Sequence, residues 1–202
     1  MKTESTPSEG FAEPRFVARI QSGERQAIAA VVQSYLPQIH RAARGAGLAP
    51  ERADDVVQET FKTFVEGAAR FEGRSHVRTW LFGILYRKIA EARRGLGRER
   101  RFDDIDDVFE SRFDERGSWS RPPRVADRAL DDKETHGQIA ECLEAAPARQ
   151  RMAFVLREVE DLATSEICKI LQVTDTNLGV MLHRLRNRVR ECLESKGVTG
   201  SV

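Results

Sequence analysis

Residues 164–193 read TSEICKILQVTDTNLGVMLHRLRNRVRECL, which is a short helical pattern, a turn and a longer helical pattern. Thr164 is placed to cap the first helix, residues 172–173 make the turn, and Thr174 is placed to cap the second helix. A helix, a turn of a few residues and a second helix are typical of a helix-turn-helix. Apolar residues recur in the second helix at three- and four-residue steps and predict its buried face: Leu178, Met181, Leu182, Leu185, Val189 and Cys192.

The second helix of such a motif lies in the DNA major groove and presents its first turns to the base edges. Asparagine suits adenine and arginine suits guanine. The outward-facing candidates for base contacts are Thr176, Asn177, Gly179, Val180, His183 and Arg184. The arginines that follow are expected on phosphates, which position a protein without specifying sequence: Arg186, Arg188 and Arg190. An ordinary helical hairpin with solvated arginines remains the alternative.

Helical periodicity also fills the rest of the chain outside one charged segment. Apolar steps run from Arg25 to Gly45, with a kink or break expected at Pro37, and they continue over 51–69 and 77–92. No strand-like alternation of any length is present, so the sequence predicts an all-α protein.

The helix over 51–69 is strongly amphipathic, and its polar side is rich in carboxylates and amides: Asp54, Asp55, Gln58, Glu59 and Lys62. Such a face can form charge-assisted bonds with a basic partner helix. Two alternatives stay open. These residues could simply be the solvent-exposed side of a helix. Alternatively, Asp54, Asp55 and Glu59 could bind the metal ion of a metal-dependent nuclease.

The chain has 202 residues and a net charge of +1, but its charges are segregated. Residues 70–101 hold ten Lys and Arg against three acids, residues 102–118 hold seven acids against two arginines, and 181–190 hold four arginines and no acid. Two basic segments indicate two contact surfaces for a polyanion. No apolar run approaches the ~20 residues of a membrane span, and no signal peptide precedes the helices, so a cytoplasmic protein is expected.

The three cysteines, at 142, 168 and 192, have no CxxC spacing. In a cytosolic chain this pattern predicts no disulfide. A zinc site built on His136 and Cys142 lacks the usual ligand spacing, so no metal or other cofactor is expected.

Two blocks carry a family resemblance. Residues 147–193, which include the helix-turn-helix, resemble region four of bacterial sigma factors of the extracytoplasmic-function group. Residues 54–94, with DDVVQETF at 54–61 and RTWLFGI at 78–84, resemble region two of the same family. The resemblance implies a region-two domain at 15–97 and a region-four domain at 137–197. Few apolar residues beside prolines and glycines predict a loose tail at 1–14, and sparse apolar residues among dense charges predict an acidic flexible linker at 98–136.

The same resemblance implies a transcription initiation factor that is not an enzyme. Its partners would be core RNA polymerase (the clamp helices of the largest subunit and the flap of the second largest), promoter DNA and an anti-sigma factor. The polar face at 54–62 would bind the polymerase, and the second helix of the helix-turn-helix would bind the −35 element. The −10 element would be met by Phe71, Arg74, Ser75, His76, Arg78, Arg87, Lys88 and Glu91.

Two further positions carry expectations of their own. Trp80 falls on an apolar stripe, so it is expected in the core rather than against a base. Gln172 stands where many family members carry glycine, so it is expected in a left-handed conformation at a cost of roughly 1 kcal/mol. The rival to a sigma factor is a dimeric helix-turn-helix regulator that acts without polymerase. That rival leaves the carboxylate-rich face and the RTWLFGI block unexplained.

Overall fold

The computed structural model describes residues 9–94, 138–139, 141–143 and 146–197. Every regular element in these ranges is helical, which confirms the predicted all-α class. In chain order the elements are a 3-10 helix at Glu9–Ala12, α1 at Pro14–Gln21, α2 at Arg25–Gly45, α3 at Pro50–Gly67, a 3-10 helix at Ala68–Arg70, α4 at Val77–Arg94, α5 at Ala148–Phe154, a π-helical turn at Val155–Val159, α6 at Thr164–Leu171 and α7 at Asp175–Ser195. The expected tail over 1–8 and the expected linker lie outside the described residues.

Helices α2, α3 and α4 pack on one another and bury the apolar stripes that the sequence predicts. Tyr35 of α2, Phe64 of α3 and Phe82 of α4 are fully buried between them. Large aromatic side chains of this kind contribute the most apolar area per residue, so they stabilise the bundle most. The opposite face of α3 is left to solvent.

Pro37 does not break the helix that contains it. Helix α2 runs through Pro37 from Arg25 to Gly45, so of the expected kink or break, the break does not occur. Proline removes the amide that would bond the carbonyl of residue 33, four positions earlier. Both Gln33 and Pro37 lie on the exposed side of α2, where water can satisfy that carbonyl.

Residues 9–14 are folded, although they fall within the loose tail expected over 1–14. Phe11 is buried, and its ring lies 4.7 Å from that of Phe16 and 5.7 Å from that of Tyr35. Pro14 occupies the first turn of α1, where its missing amide costs nothing. The aromatic contact ties this eight-residue helix to α2.

The helix-turn-helix forms as predicted, with one correction at its first cap. Gln172 ends α6 with a φ of +54°, which is the expected left-handed conformation. The Thr174 hydroxyl accepts a hydrogen bond from the Asn177 amide at 3.2 Å and caps α7. Thr164 is the first residue of α6 rather than its cap, because the Glu166 carboxylate takes that role and accepts the Ala163 amide at 3.1 Å.

A disulfide joins Cys142 to Cys192, so the prediction of no disulfide is wrong. The two Cα atoms lie 5.8 Å apart, although the residues are 50 positions apart in sequence. Sequence spacing could not reveal this pair, because only the fold brings residues 141–143 to the last turns of α7. Cys168 is a free, buried thiol, and burial raises its pKa to about 11.

The apolar side chains of α1 to α4 and those of α5 to α7 join in one continuous buried cluster. The family resemblance placed these two groups of helices in separate domains, yet in this structure they are in direct contact. Within the described ranges, no helix combines the length and apolar character that crossing a bilayer requires.

Candidate functional site

The exposed face of α3 carries all five residues expected to bind a protein partner. At 100° per residue they fall within about 140° of the helix circumference, opposite the buried Ala53, Val56 and Phe64. All five are exposed: Asp54, Asp55, Gln58, Glu59 and Lys62. The arrangement offers three carboxylates and one amide to a basic helix, with a single lysine among them.

His40 of α2 reaches this face and was not identified from the sequence. Its Nε2 atom lies 3.0 Å from the Asp54 Oδ1 atom, and both side chains are exposed. The contact fixes the Asp54 carboxylate at the edge of the face beside α2. Along α3, the Lys62 Nζ atom lies 3.5 Å from the Glu59 Oε1 atom. Asp55 and Gln58 make up the centre of the face.

The nuclease alternative required a metal bound by Asp54, Asp55 and Glu59. Across the part of the chain that the structure describes, no three His, Cys, Asp or Glu side chains come together as ligands of one ion. Asp54 instead contacts His40, and Glu59 contacts Lys62. The described side chains therefore do not form the three-carboxylate site that the nuclease alternative required.

The first turns of α7 present the predicted base-reading side chains to solvent. Leu178, Met181 and Leu185 are buried on the inner face of α7. On the opposite face, Thr176, Asn177 and Gly179 are exposed, and Val180, His183 and Arg184 are half-buried. A Cβ atom added at Gly179 would meet open space, so this face has room for a close partner.

Farther along α7, two candidate side chains hold local contacts. The Arg186 guanidinium bonds the Glu158 carboxylate at 2.5 Å, which ties α7 to the π-helical turn. The His183 ring lies 2.8 Å from the Asn187 amide group, one turn ahead. Arg188 is half-buried beside the inner face. Arg184 and Arg186 therefore lie closer to the outward face than Arg188 does.

Among the candidates for the −10 element, Phe71 lies in the core. It is 5% exposed, and its ring stacks on Trp80 at 4.7 Å with an interplanar angle of 13°. Trp80 packs edge-on against Phe64 at 5.3 Å and is half-buried, so it lies against the core rather than fully inside it. The aromatic pair supports the loop between α3 and α4, and the buried Phe71 ring is not open to a base.

The remaining −10 candidates line the loop before α4 and the outer side of α4. Arg74 is exposed and forms an ion pair with Glu72. The His76 Nδ1 atom accepts the Arg78 amide at 3.1 Å at the start of α4. Ser75 is half-buried in this loop. Farther along α4, Arg87 is exposed, and Lys88 bonds Glu91 at 3.2 Å.

Arg78, also a −10 candidate, points toward the second group of helices. Its guanidinium donates to the Glu160 carbonyl at 2.9 Å. The next residue, Thr79, is buried, and its hydroxyl donates to the Glu166 carboxylate at 2.6 Å. Arg41 of α2 bonds the Glu160 carboxylate through two nitrogens, each at 3.2 Å. Sequence patterns gave no signal for these contacts, because their partners lie more than 80 residues apart.

The pKa values of the Glu160 and Glu166 carboxylates at this contact shift in opposite directions. Burial raises the pKa of Glu160 above its usual value, although the nearby Arg41 and Arg78 charges oppose that rise. Burial also pushes the pKa of Glu166 upward. Hydrogen bonds from Thr79 and the Ala163 amide, with the positive potential of Arg78 and His76, outweigh it and leave the pKa lowered.

Comparison with known proteins now identifies the two groups of helices. Residues 31–99 match the family model for Sigma-70 region 2, and residues 136–189 match the family model for Sigma-70, region 4. The first match covers most of α2, α3 and α4. The second covers α5, α6 and most of α7, including the outward face described above.

Whole-chain similarity agrees with the domain matches. A Haemophilus influenzae protein named "Probable RNA polymerase sigma factor" is 32% identical over 151 residues, which cover 71% of this chain and 78% of that protein. The ECF RNA polymerase sigma factor SigD of Mycobacterium tuberculosis is 28% identical over 186 residues, or 90% of this chain and 84% of SigD.

A solved structure agrees at the level of the fold. The sigma factor RpoE of Bartonella quintana, crystallised with the anti-sigma factor NepR, has a TM-score of 0.60 at 21% identity and covers 81% of this chain and 94% of its own. The two region matches, the sigma factor relatives and this fold agree with one another. The chain therefore belongs to the extracytoplasmic-function group of bacterial RNA polymerase sigma factors.

Proposed function

We propose that this chain binds core RNA polymerase, directs it to promoters with −35 and −10 elements and assists the melting of the −10 element. The observation that carries this proposal is the coexistence of two different faces on one chain. One is the exposed carboxylate-rich face of α3, which suits a protein, and the other is the outward face of α7, which suits DNA. The division into domains at 15–97 and 137–197 is part of the proposal.

The face of α3 is the proposed contact with the clamp helices of the largest polymerase subunit. Asp55, Gln58 and Glu59 would accept or donate charge-assisted bonds to basic and polar side chains of that partner. Their shared exposure on a rigid helix supports this role, because none of them must leave a buried partner before binding. Asp54 and Lys62 flank them and set the edges of the contact. Region four would meet the flap of the second largest subunit.

The outward face of α7 is the proposed reader of the −35 element. Asn177 and Arg184 are the residues suited to bidentate base contacts, each worth about 1–3 kcal/mol of discrimination. Thr176, Val180 and His183 would surround them, and Gly179 leaves space for close approach. The arginines at 186 and 188 suit phosphates, which set the register on the duplex.

The loop before α4 and the outer side of α4 are the proposed −10 surface. The arginines and the lysine at positions 74, 78, 87 and 88 supply positive charge for the phosphates, while Ser75, His76 and Glu91 supply polar groups for exposed base edges. The core position of Phe71 leaves it a supporting role. No catalytic group is needed, since the stacking cost of about 1.4 kcal/mol per base-pair step is of the same size as the gain from each captured base.

An anti-sigma factor and a cytoplasmic location complete the proposal. A sigma factor of the same fold was crystallised with the anti-sigma factor NepR, which supports control by a protein that covers these faces. Core polymerase and chromosomal promoters lie in the bacterial cytoplasm, so the chain would act there.

The polymerase contact can be tested with a charge reversal on α3. The full chain and its Asp55→Lys and Glu59→Lys double variant would each be mixed with core polymerase and separated by gel filtration. We expect the wild type to co-elute with polymerase and the double variant to lose at least tenfold in affinity, about 1.4 kcal/mol.

A matched control changes the charge elsewhere. Glu13→Lys replaces an exposed acid just before α1, outside the proposed polymerase contacts, and should leave polymerase binding unchanged. Equal binding by all three proteins would refute the proposed face. A wild type that elutes as a dimer and ignores polymerase would favour the helix-turn-helix regulator instead.

A further inference from the structure

Region two and region four meet in this structure along a seam of specific contacts. Arg41 and the Glu160 carboxylate form a two-pronged ion pair in which the Glu160 side chain is only 2% exposed. Beside it, Arg78 bonds the Glu160 carbonyl, and Thr79 bonds Glu166. Hydrogen bonds of Arg41, Arg78 and Thr79 thus join α2 and α4 to the segment that leads from the π-helical turn into α6.

Two glycines near the end of α2 also pack closely against side chains of region four along the same seam. A Cβ atom added to Gly45, in the last turn of α2, would lie 2.7 Å from a methyl group of Val155. A Cβ atom added to Gly47 would lie 2.3 Å from the Arg151 guanidinium, which is itself buried. At Gly45, the end of α2 therefore approaches Val155 more closely than an added Cβ atom would allow without a shift.

This packing uses groups that the proposed function assigns to DNA. Arg78 belongs to the −10 surface, but its guanidinium is turned onto the carbonyls of Glu160 and Asp161. Thr79 beside it is buried against Glu166, which also caps the first helix of the helix-turn-helix. The seam and the −10 element therefore compete for the start of α4.

The distance between the promoter elements leads to the same conclusion. Positions −10 and −35 are about 25 base pairs apart, which is about 85 Å of duplex at 3.4 Å per base pair. Helix α7 has 21 residues and is only about 32 Å long. With region four held on region two, its outward face cannot reach the −35 element while α4 meets the −10 element. The 39 residues of 98–136 could span up to ~130 Å when fully extended, so the chain is long enough to separate the two regions.

We propose that the surface formed by the end of α2 and the start of α4 is a binding site for region four of the same chain, and that its occupation excludes promoter DNA. The inference rests on the proposed function for its statement about DNA, while the docking itself does not. In the free protein, region four covers Arg78 and Thr79. Binding to the two-part promoter requires that the seam open.

The test reverses the charge of Arg41, which lies in the seam but outside the proposed DNA and polymerase contacts. Arg41→Glu places a carboxylate against the buried Glu160 and should open the seam. Arg44→Glu is the matched control, because it makes the same charge change three residues along α2, where the guanidinium bonds the Leu48 carbonyl within region two. Any general electrostatic effect on DNA binding is then equal in both variants.

Two readouts on the full chain separate docking from its consequence. Small-angle X-ray scattering should give a larger radius of gyration for Arg41→Glu than for the wild type and Arg44→Glu. Binding of a single-stranded DNA 20-mer of mixed sequence should be about tenfold tighter for Arg41→Glu than for Arg44→Glu, because apparent affinity scales with the open fraction. An unchanged radius of gyration would overturn the docking. A larger radius with equal DNA binding would overturn the competition.

A second pair of variants covers the case in which Arg41→Glu fails to fold. Gly45→Ala adds only the Cβ atom that meets Val155, while Gly83→Ala adds one in α4 that meets nothing within 4 Å. Both changes favour helix, so only contact at the seam distinguishes them. Gly45→Ala should increase the radius of gyration and tighten DNA binding relative to Gly83→Ala. Identical behaviour of this pair would contradict the proposal. Loss of polymerase binding in the wild type would be a failure of the proposed function, and it would leave the scattering result intact.

Discussion

The buried ion pair between Arg41 and Glu160 allows a sharp prediction about stability. Replacing Arg41 with alanine leaves a carboxylate that is 2% exposed without its two hydrogen-bond donors. Breaking a buried pair in this way costs about 3–5 kcal/mol. Arg41 itself is half exposed, which places the expected loss near the lower end, at about 3 kcal/mol. For a chain of this size that is a decrease in Tm of about 6–12 °C.

The variant Glu160→Gln tests the same ion pair from its other side, and its stability is to be compared with that of Arg41→Ala. Its neutral amide keeps an oxygen that can accept a hydrogen bond from Arg41, and it removes the burial cost that raises the pKa of Glu160. We therefore expect its free energy of unfolding to lie within about 1 kcal/mol of the wild type. Urea unfolding of both variants at pH 7, followed by circular dichroism, measures the two values. A loss in Glu160→Gln as large as that in Arg41→Ala would refute the reasoning.

The raised pKa of Glu160 also determines how the stability of the protein changes with pH. The folded protein favours the protonated form of Glu160. The stability that this form contributes is therefore fully present below the ordinary carboxyl pKa, and it is lost as the pH rises through the raised pKa. Glu160→Gln cannot titrate and should not show this loss. The difference in stability between the variant and the wild type should therefore shift in favour of glutamine as the pH rises above about 4.5.

Three further changes test local features of region four by chemical unfolding. Reduction of the Cys142–Cys192 disulfide, or its replacement by two serines, should cost at most about 4 kcal/mol for a closed loop of 50 residues, and an unchanged stability in reductant would contradict a formed bond. Gln172→Gly should stabilise the protein by up to about 1 kcal/mol, since the backbone already has a φ of +54°, whereas Gln172→Val should destabilise it. Thr174→Ala should cost about 1 kcal/mol through loss of the bond to the Asn177 amide, and Thr174→Ser should restore most of it.

Sequence patterns predicted the structural features that depend on residues close together in the chain. The stripe of α3, the turn at Gln172 and the cap at Thr174 follow from side-chain periodicity, backbone sterics and a bond across three residues, so the sequence alone sufficed. The exposed face of α3 was predictable for the same reason, because burial of one side of a helix leaves the other side to solvent.

Contacts between residues that are far apart in the sequence could not be predicted from such patterns. Nothing near Phe71 in sequence shows that Trp80 covers its ring, and nothing near Cys142 points to Cys192. Helix α1 was missed because eight residues hold too few apolar steps, and its order depends on the contact of Phe11 with Tyr35. The partners of Arg78 lie more than 80 positions away, so its role at the seam emerged only from the fold.

Run-off transcription tests the central claim most directly. Core RNA polymerase, fragmented genomic DNA and the full chain would be combined, and the 5′ ends of the transcripts would be mapped. A sigma factor predicts new start sites that require this protein and share two sequence elements upstream, and it predicts their loss with the Asp55→Lys and Glu59→Lys double variant. Start sites that are identical with and without the protein would contradict the account.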